Sequence, residues 1–129
     1  MNEEEFKDRT KQIALRVIRL IEALPNDFPA QLIAKQLLRS ATAAGAHYRA
    51  ACRGRSDADF LDKLSLVEEE ADESLYWLEL LGESKIVAPN RLSALTRDFN
   101  EIAATVAAAI KTTRAARIGR YKDLIGPKT

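Results

Sequence analysis

The sequence predicts an all-α fold, an antiparallel up-down four-helix bundle. Three observations carry that expectation. Most glycines and prolines gather in short clusters: "PNDFP" around Pro25 and Pro29, Gly54 before Ser56, "GESKIVAP" between Gly82 and Pro89, and Gly119, Gly126 and Pro127 near the end. The segments between those clusters are long, rich in helix formers and apolar at helical spacing. No segment alternates apolar and polar residues as a half-buried strand would. Four segments of about 22 to 30 residues with short connections pack most simply as an up-down bundle.

The first helix is expected from about Glu3 to Leu24. Asn2 and Glu5 have capping-box spacing, and Phe6, Ile13, Val17, Leu20, Ile21 and Leu24 form one apolar face. The second is expected from about Pro29 to Arg53, with Ile33, Leu37, Ala41, Ala44, Tyr48 and Cys52 inward. The third begins after Ser56, with Asp59 three residues on, and ends near Leu81. Its stripe is Phe60, Leu64, Val67, Ala71, Leu75 and Leu78. The fourth begins near Pro89, a residue suited to a first helical turn, and runs to about Ile118 through Leu92, Leu95, Phe99, Ile102, Val106 and Ile110. Residues 1–118 are thus expected to form the bundle, and 119–129 a tail that frays.

A chain of 129 residues makes one domain with a real core. Its 20 basic and 19 acidic residues leave a net charge of +1, so any affinity for nucleic acid must come from a local patch. The single cysteine forms no internal disulfide, which fits a reducing cytoplasm. The charged start "MNEEEFKDRTKQ" lacks the apolar stretch of a signal peptide, and no run is long and apolar enough to span a membrane. A cytoplasmic protein is expected.

"GAHYRAACRGRS" holds the only histidine, His47, and the only cysteine, Cys52. Five residues apart on a helix, they diverge by about 140°, so a Cys–His nucleophile pair within this helix is not expected. Cys52 reads as a small core residue and His47 as a packing residue. Neither supplies enough ligands for a metal site. The acidic run "EEEADE", Glu68 to Glu73, lacks the Glu-x-x-His motif of di-metal bundles. Glu68 is expected to pair with a basic residue on a neighbouring helix, Arg39 being one candidate. No catalytic residue, metal or cofactor is expected, and the chain does not read as an enzyme.

Two surfaces remain. "SATAAGA", Ser40 to Ala46, has no large side chain and invites close approach of another helix. The third helix carries apolar groups round most of its circumference at "LYWLELL". Leu66, Tyr76, Trp77 and Leu80 are therefore expected to bury against a second copy of the chain. The other surface is basic. Arg49, Arg53 and Arg55 close the second helix. Lys111, Arg114, Arg117 and Arg120 lie along the fourth and beyond its expected end. Helices two and four run in the same sense, so these cations share one end of the bundle. They partly complement helix dipoles. As a rim, with Arg49, Arg53, Arg55, Arg114, Arg117 and Arg120 as contacts, they would meet phosphates. The chain has no glycine-rich phosphate loop and no base-stacking platform.

"FKDRTKQIALRVIRLI", "FP" and "QLLRSATAAGAHYRAACRGRSDADFLDKLSLVEEEADESLYWLELL" together resemble the small bacterial proteins encoded in 23S ribosomal RNA intervening sequences, over about residues 6–118. The most specific part is Gln36, Leu37 and Arg39 followed by Arg55, Ser56 and Phe60. His47-Tyr48-Arg49-Ala50-Ala51 stands where the family often has Asn-Ile-Ala-Glu-Gly. The resemblance implies a four-helix bundle that assembles as a homo-oligomer, typically a pentameric ring, with no established enzymatic activity. It extends to the accessory protein of diversity-generating retroelements, a basic pentamer that binds nucleic acid and a reverse transcriptase. The expected role is a homo-oligomeric scaffold binding RNA, DNA or a nucleoprotein partner. The alternative is a protein-binding adaptor with no nucleic-acid role.

Overall fold

The structure, a computed structural model, describes residues 2–125, with side chains through residue 119. Among the described residues there are four helices and no strand: α1 (Glu3–Glu22), α2 (Phe28–Cys52), α3 (Asp57–Glu83) and α4 (Pro89–Ile125). No helix among them is long and apolar enough to cross a membrane.

Local side-chain chemistry sets the helix starts. Asn2 Oδ1 accepts from the Glu5 N–H at 2.8 Å, and Asn2 Nδ2 donates back to Glu5 Oε1 at 3.1 Å. Asp27 caps α2 by accepting from the Ala30 N–H at 3.0 Å, so that α2 begins one residue ahead of the expected start. Ser56 Oγ accepts from the Asp59 N–H at 3.1 Å, while Asp59 Oδ2 accepts from the Arg55 N–H at 3.2 Å. The bonds from the Glu5, Ala30 and Asp59 N–H groups each satisfy a donor that a helix start leaves orphaned. At the close of α3, Lys85 takes a left-handed φ of 63°. That turn brings the Val87 N–H to Leu81 O at 3.1 Å and drops Val87 into the core.

Consecutive helices pack side by side, and neither diagonal pair brings its backbones close. Thr10 meets Gly45 and Phe6 meets Tyr48 across α1–α2, so residue numbers rise on one helix as they fall on the other. The core runs the length of the bundle: Phe6, Ile13 and Val17; Ile33, Leu37, Ala41 and Ala44; Leu64, Val67, Ala71 and Leu78; and all six expected positions of α4. Three expectations shift. Leu61 rather than Phe60 is buried at the start of α3, and Tyr48 and Cys52 are only half-buried. Ser40, not among the expected inward positions of the second helix, is wholly buried against Ser74 of α3, their hydroxyl oxygens 2.7 Å apart.

The small residues of α2 therefore have a use inside one chain. They bring α3 close at Ser40 and α1 close at Gly45, where a Cβ would stand 3.2 Å from Thr10 Oγ1. The α1–α4 seam is different. These helices touch only sparingly, and charge spans the gap. Asp98 of α4 lies between Arg9 and Arg16 of α1, and Arg9 also reaches Glu101.

Among the described side chains of α4 the last buried one is Ile110. The helix continues past Ile118, where its sequence suggests an end, to Ile125. A single glycine, Gly119, costs about 1 kcal/mol in a helix and does not stop it. From Lys111 onward about 22 Å of helix extends past that last core contact. Residues 126–129 of the expected tail lie outside the described residues.

Candidate nucleic-acid interface

Antiparallel packing places the C-terminal end of α2 and the overhang of α4 at the same end of the bundle. Arg53 and Arg55 are exposed at the α2–α3 joint, and Arg114 and Arg117 are exposed on the overhang. Arg120 lies in helical backbone, and its side chain is outside those described. The expected cations do not form one continuous group. Arg49 and Arg53 turn toward α1 and line a groove of about 390 Å³ with Glu4, Lys7, Asp8 and Lys11. The groove continues along α1–α2 as a second hollow of about 270 Å³, walled by Lys7, Lys11 and Arg49 over Thr10, Gly45 and Ala46.

Sequence reading missed Lys7 and Lys11. The signal that could have found them is a basic pair one turn apart on α1, matching Arg49 and Arg53 on α2. Only the knowledge that the two helices are antiparallel neighbours makes that match meaningful.

Several charges elsewhere are paired. Arg39 pairs with Glu70 at 3.2 Å and with Glu73, rather than with Glu68 as the spacing suggested. Glu70 and Glu73 face α2 beside Ser74, while Glu68 lies on the other side of the helix. Lys63 holds Asp59, and Arg9 and Arg16 hold Asp98. By contrast, Lys11, Arg49, Arg53, Arg55, Arg114 and Arg117 have no carboxylate of a described residue within ion-pair distance.

Cys52 is free, and burial pushes its thiol above the ordinary cysteine range. Burial, and then the neighbouring thiol, raise the Tyr48 hydroxyl well above the usual tyrosine range. A thiol so placed is a poor nucleophile. His47 is half-buried on another stripe of α2. Among the described residues no group of three His, Cys, Asp or Glu could hold a metal ion.

The expected self-association residues divide. Leu66 and Tyr76 are exposed, whereas Trp77 and Leu80 are half-buried and pack against the core of their own chain. The Trp77 ring meets Tyr76 edge-on at 5.0 Å, and its buried Nε1 has no hydrogen-bond partner. Further apolar exposure, not expected from the sequence, lies at Leu15 and Ile18 on α1 and at Phe28, Leu32 and Leu38 on α2.

Residues 3–108 match the family model described as 23S rRNA-intervening sequence protein. The chain belongs to that family. The matched stretch ends within two residues of Ile110, so the family match covers the packed bundle and leaves the overhang outside it. A crystal structure at 1.70 Å of a protein of unknown function from the S23 ribosomal protein family of Bacteroides thetaiotaomicron VPI-5482 is similar throughout. It is 34% identical with a TM-score of 0.79, over 86% of this chain and 99% of that one. No curated protein matches the chain. Membership of the family accords with the observed four-helix bundle.

Proposed function

We propose that the protein is a non-catalytic homo-oligomeric scaffold, a pentamer on the family pattern, that holds RNA or DNA, alone or in a nucleoprotein, at its basic end. One observation carries this reading. The chain is almost neutral overall, yet Arg49, Arg53, Arg55, Arg114 and Arg117, all toward one end, have no carboxylate of a described residue within ion-pair distance. Uncompensated cations at a helix end attract phosphate, and each contact releases counterions. Among the described aromatic rings toward this end, Tyr48 packs on Phe6 at 4.4 Å and Phe60 packs against the core. Binding is therefore expected to follow backbone charge rather than base sequence. The apolar side chains left exposed on α1, α2 and α3 support self-association.

The test is light scattering after size exclusion, on the protein alone and with mixed RNA and DNA pools at low and high salt. A ring-sized particle that takes up nucleic acid only at low salt is expected. Charge reversal at Arg49, Arg53, Arg114 and Arg117 should abolish uptake and leave the particle intact. Uptake unchanged by that reversal would refute the reading. An oligomer that ignores nucleic acid and retains a protein partner through high salt would establish the adaptor instead.

A further inference from the structure

The α1–α2 groove has a chemistry that the basic end as a whole lacks. The part over Gly45 has Lys7, Lys11 and Arg49 in its walls and no carboxylate among its lining residues. Glu4 and Asp8 line only the part that includes Arg53. Lys7 is already engaged, 3.1 Å from Glu3 and 3.3 Å from Glu4. Lys11 and Arg49 have no such partner among the described residues.

Packing makes the floor low. Gly45 sits where α1 and α2 come close, and Ala46 beside it adds only a methyl group. The two threonine hydroxyls near the floor are committed to backbone oxygens, Thr10 to Lys7 O at 3.0 Å and Thr42 to Leu38 O at 2.7 Å. Recognition therefore falls to the cations. Lys7 and Lys11 are one turn apart on α1, and Arg49 and Arg53 one turn apart on α2, about 6 Å along each axis. The four cations form a ladder across two antiparallel helices, and an anion between Lys11 and Arg49 would give both the partner they lack.

We infer that the α1–α2 groove is a phosphate seat, with the anion held between Lys11 and Arg49 over the Gly45 floor. This rests on the proposed nucleic-acid reading, in which the phosphate belongs to a strand that Arg53 leads out toward the end of the bundle. The seat lies on the flank of the bundle, so the strand would approach from the side, with the α4 overhang as a separate contact.

Two probes separate this inference from the broader reading. Inorganic pyrophosphate is titrated into the full-length protein at low salt while the amide resonances of Thr42, Gly45 and Ala46 are followed. A mixed-sequence single-stranded oligonucleotide is titrated across a salt series. Pyrophosphate is expected to move those amides in the wild type and in R114Q/R117Q, and not in K11Q/R49Q. The oligonucleotide is expected to bind K11Q/R49Q at least tenfold more weakly, with a salt slope shallower by about 1.4 for two lost contacts. Unmoved groove amides, or K11Q/R49Q binding as the wild type does, would overturn the seat. If oligonucleotide binding then depended on Arg114 and Arg117 alone, the basic-end reading would survive without it. If pyrophosphate moved the groove amides but no nucleic acid bound, the seat would stand and the broader reading would fall.

Discussion

Ser40 and Ser74 give the sharpest test of how this bundle is held together. Both side chains are 0% exposed. Their oxygens are 2.7 Å apart, Ser40 lies 3.2 Å from Leu37 O, and Ser74 lies 2.9 Å from Glu70 O. Two hydroxyl protons thus serve three contacts, and one contact always goes without. When Ser74 donates to Glu70 O, Ser40 can donate to Ser74. Replacing Ser40 with alanine removes the bond between the helices, but Ser74 keeps its carbonyl and no buried donor is orphaned. Replacing Ser74 leaves Ser40 its bond to Leu37 O. Each single substitution should therefore cost about 1 kcal/mol, the usual net worth of one buried hydrogen bond. The double substitution removes both hydroxyl protons and with them two bonds, so its cost should be about the sum of the two single costs, about 2 kcal/mol. Urea unfolding at one fixed protomer concentration measures all four corners, since self-association would otherwise shift the midpoint. A double cost well below the sum would show that Ser40 does not turn to Leu37 O when Ser74 is lost. Single losses above about 3 kcal/mol would show that an orphaned polar group, not a lost bond, sets the energy.

Gly45→Val should destabilise by about 1 to 3 kcal/mol, because its side chain would meet Thr10 where a bare Cβ is already tight; thermal melts of G45V alone and with Thr10→Ala check this, with partial rescue expected in the pair. Lys85→Gly should stabilise by about 0.5 to 1 kcal/mol, since it relieves a left-handed residue without disturbing a contact of the core; a lower denaturation midpoint would contradict the strain. Asp59 is held below the usual carboxylate range by Lys63 and by the Arg55 N–H. Its folded pKa is depressed, so the stability it lends is present above the ordinary carboxylate range and is lost as pH falls through the folded value. Asp59→Asn should flatten that part of a stability–pH profile. Cys52 should react slowly with iodoacetamide near neutral pH, because its raised pKa leaves little thiolate; a rate equal to that of the denatured chain would refute its burial as the cause.

Much of the fold is legible because it depends on neighbours in sequence. The caps at Asn2 and Ser56 are three-residue patterns, and the α4 stripe from Leu92 to Ile110 is buried at every expected position. What escaped depends on which helix lies beside which. Ser40 looks half-polar until α3 is known to cover it. The choice of Arg39 between Glu68 and the pair Glu70 and Glu73 follows from which side of α3 faces α2. The candidate site was legible as residues but not as places. Arg49 and Arg53 were found, while the lysines opposite them were not. The six expected cations fall into a groove, a joint and an overhang.

The uneven seams of the bundle have a mechanical consequence. Three sides are closed by apolar contact, which changes little with ionic strength. The fourth, between α1 and α4, is bridged by Arg9, Arg16, Asp98 and Glu101 on partly exposed surface, where added salt screens attraction. The molecule is in effect a three-helix block with a hinged stave. Salt should loosen the stave before the block, so α1 is expected to exchange its amide hydrogens first and to be the element most easily traded between neighbouring chains.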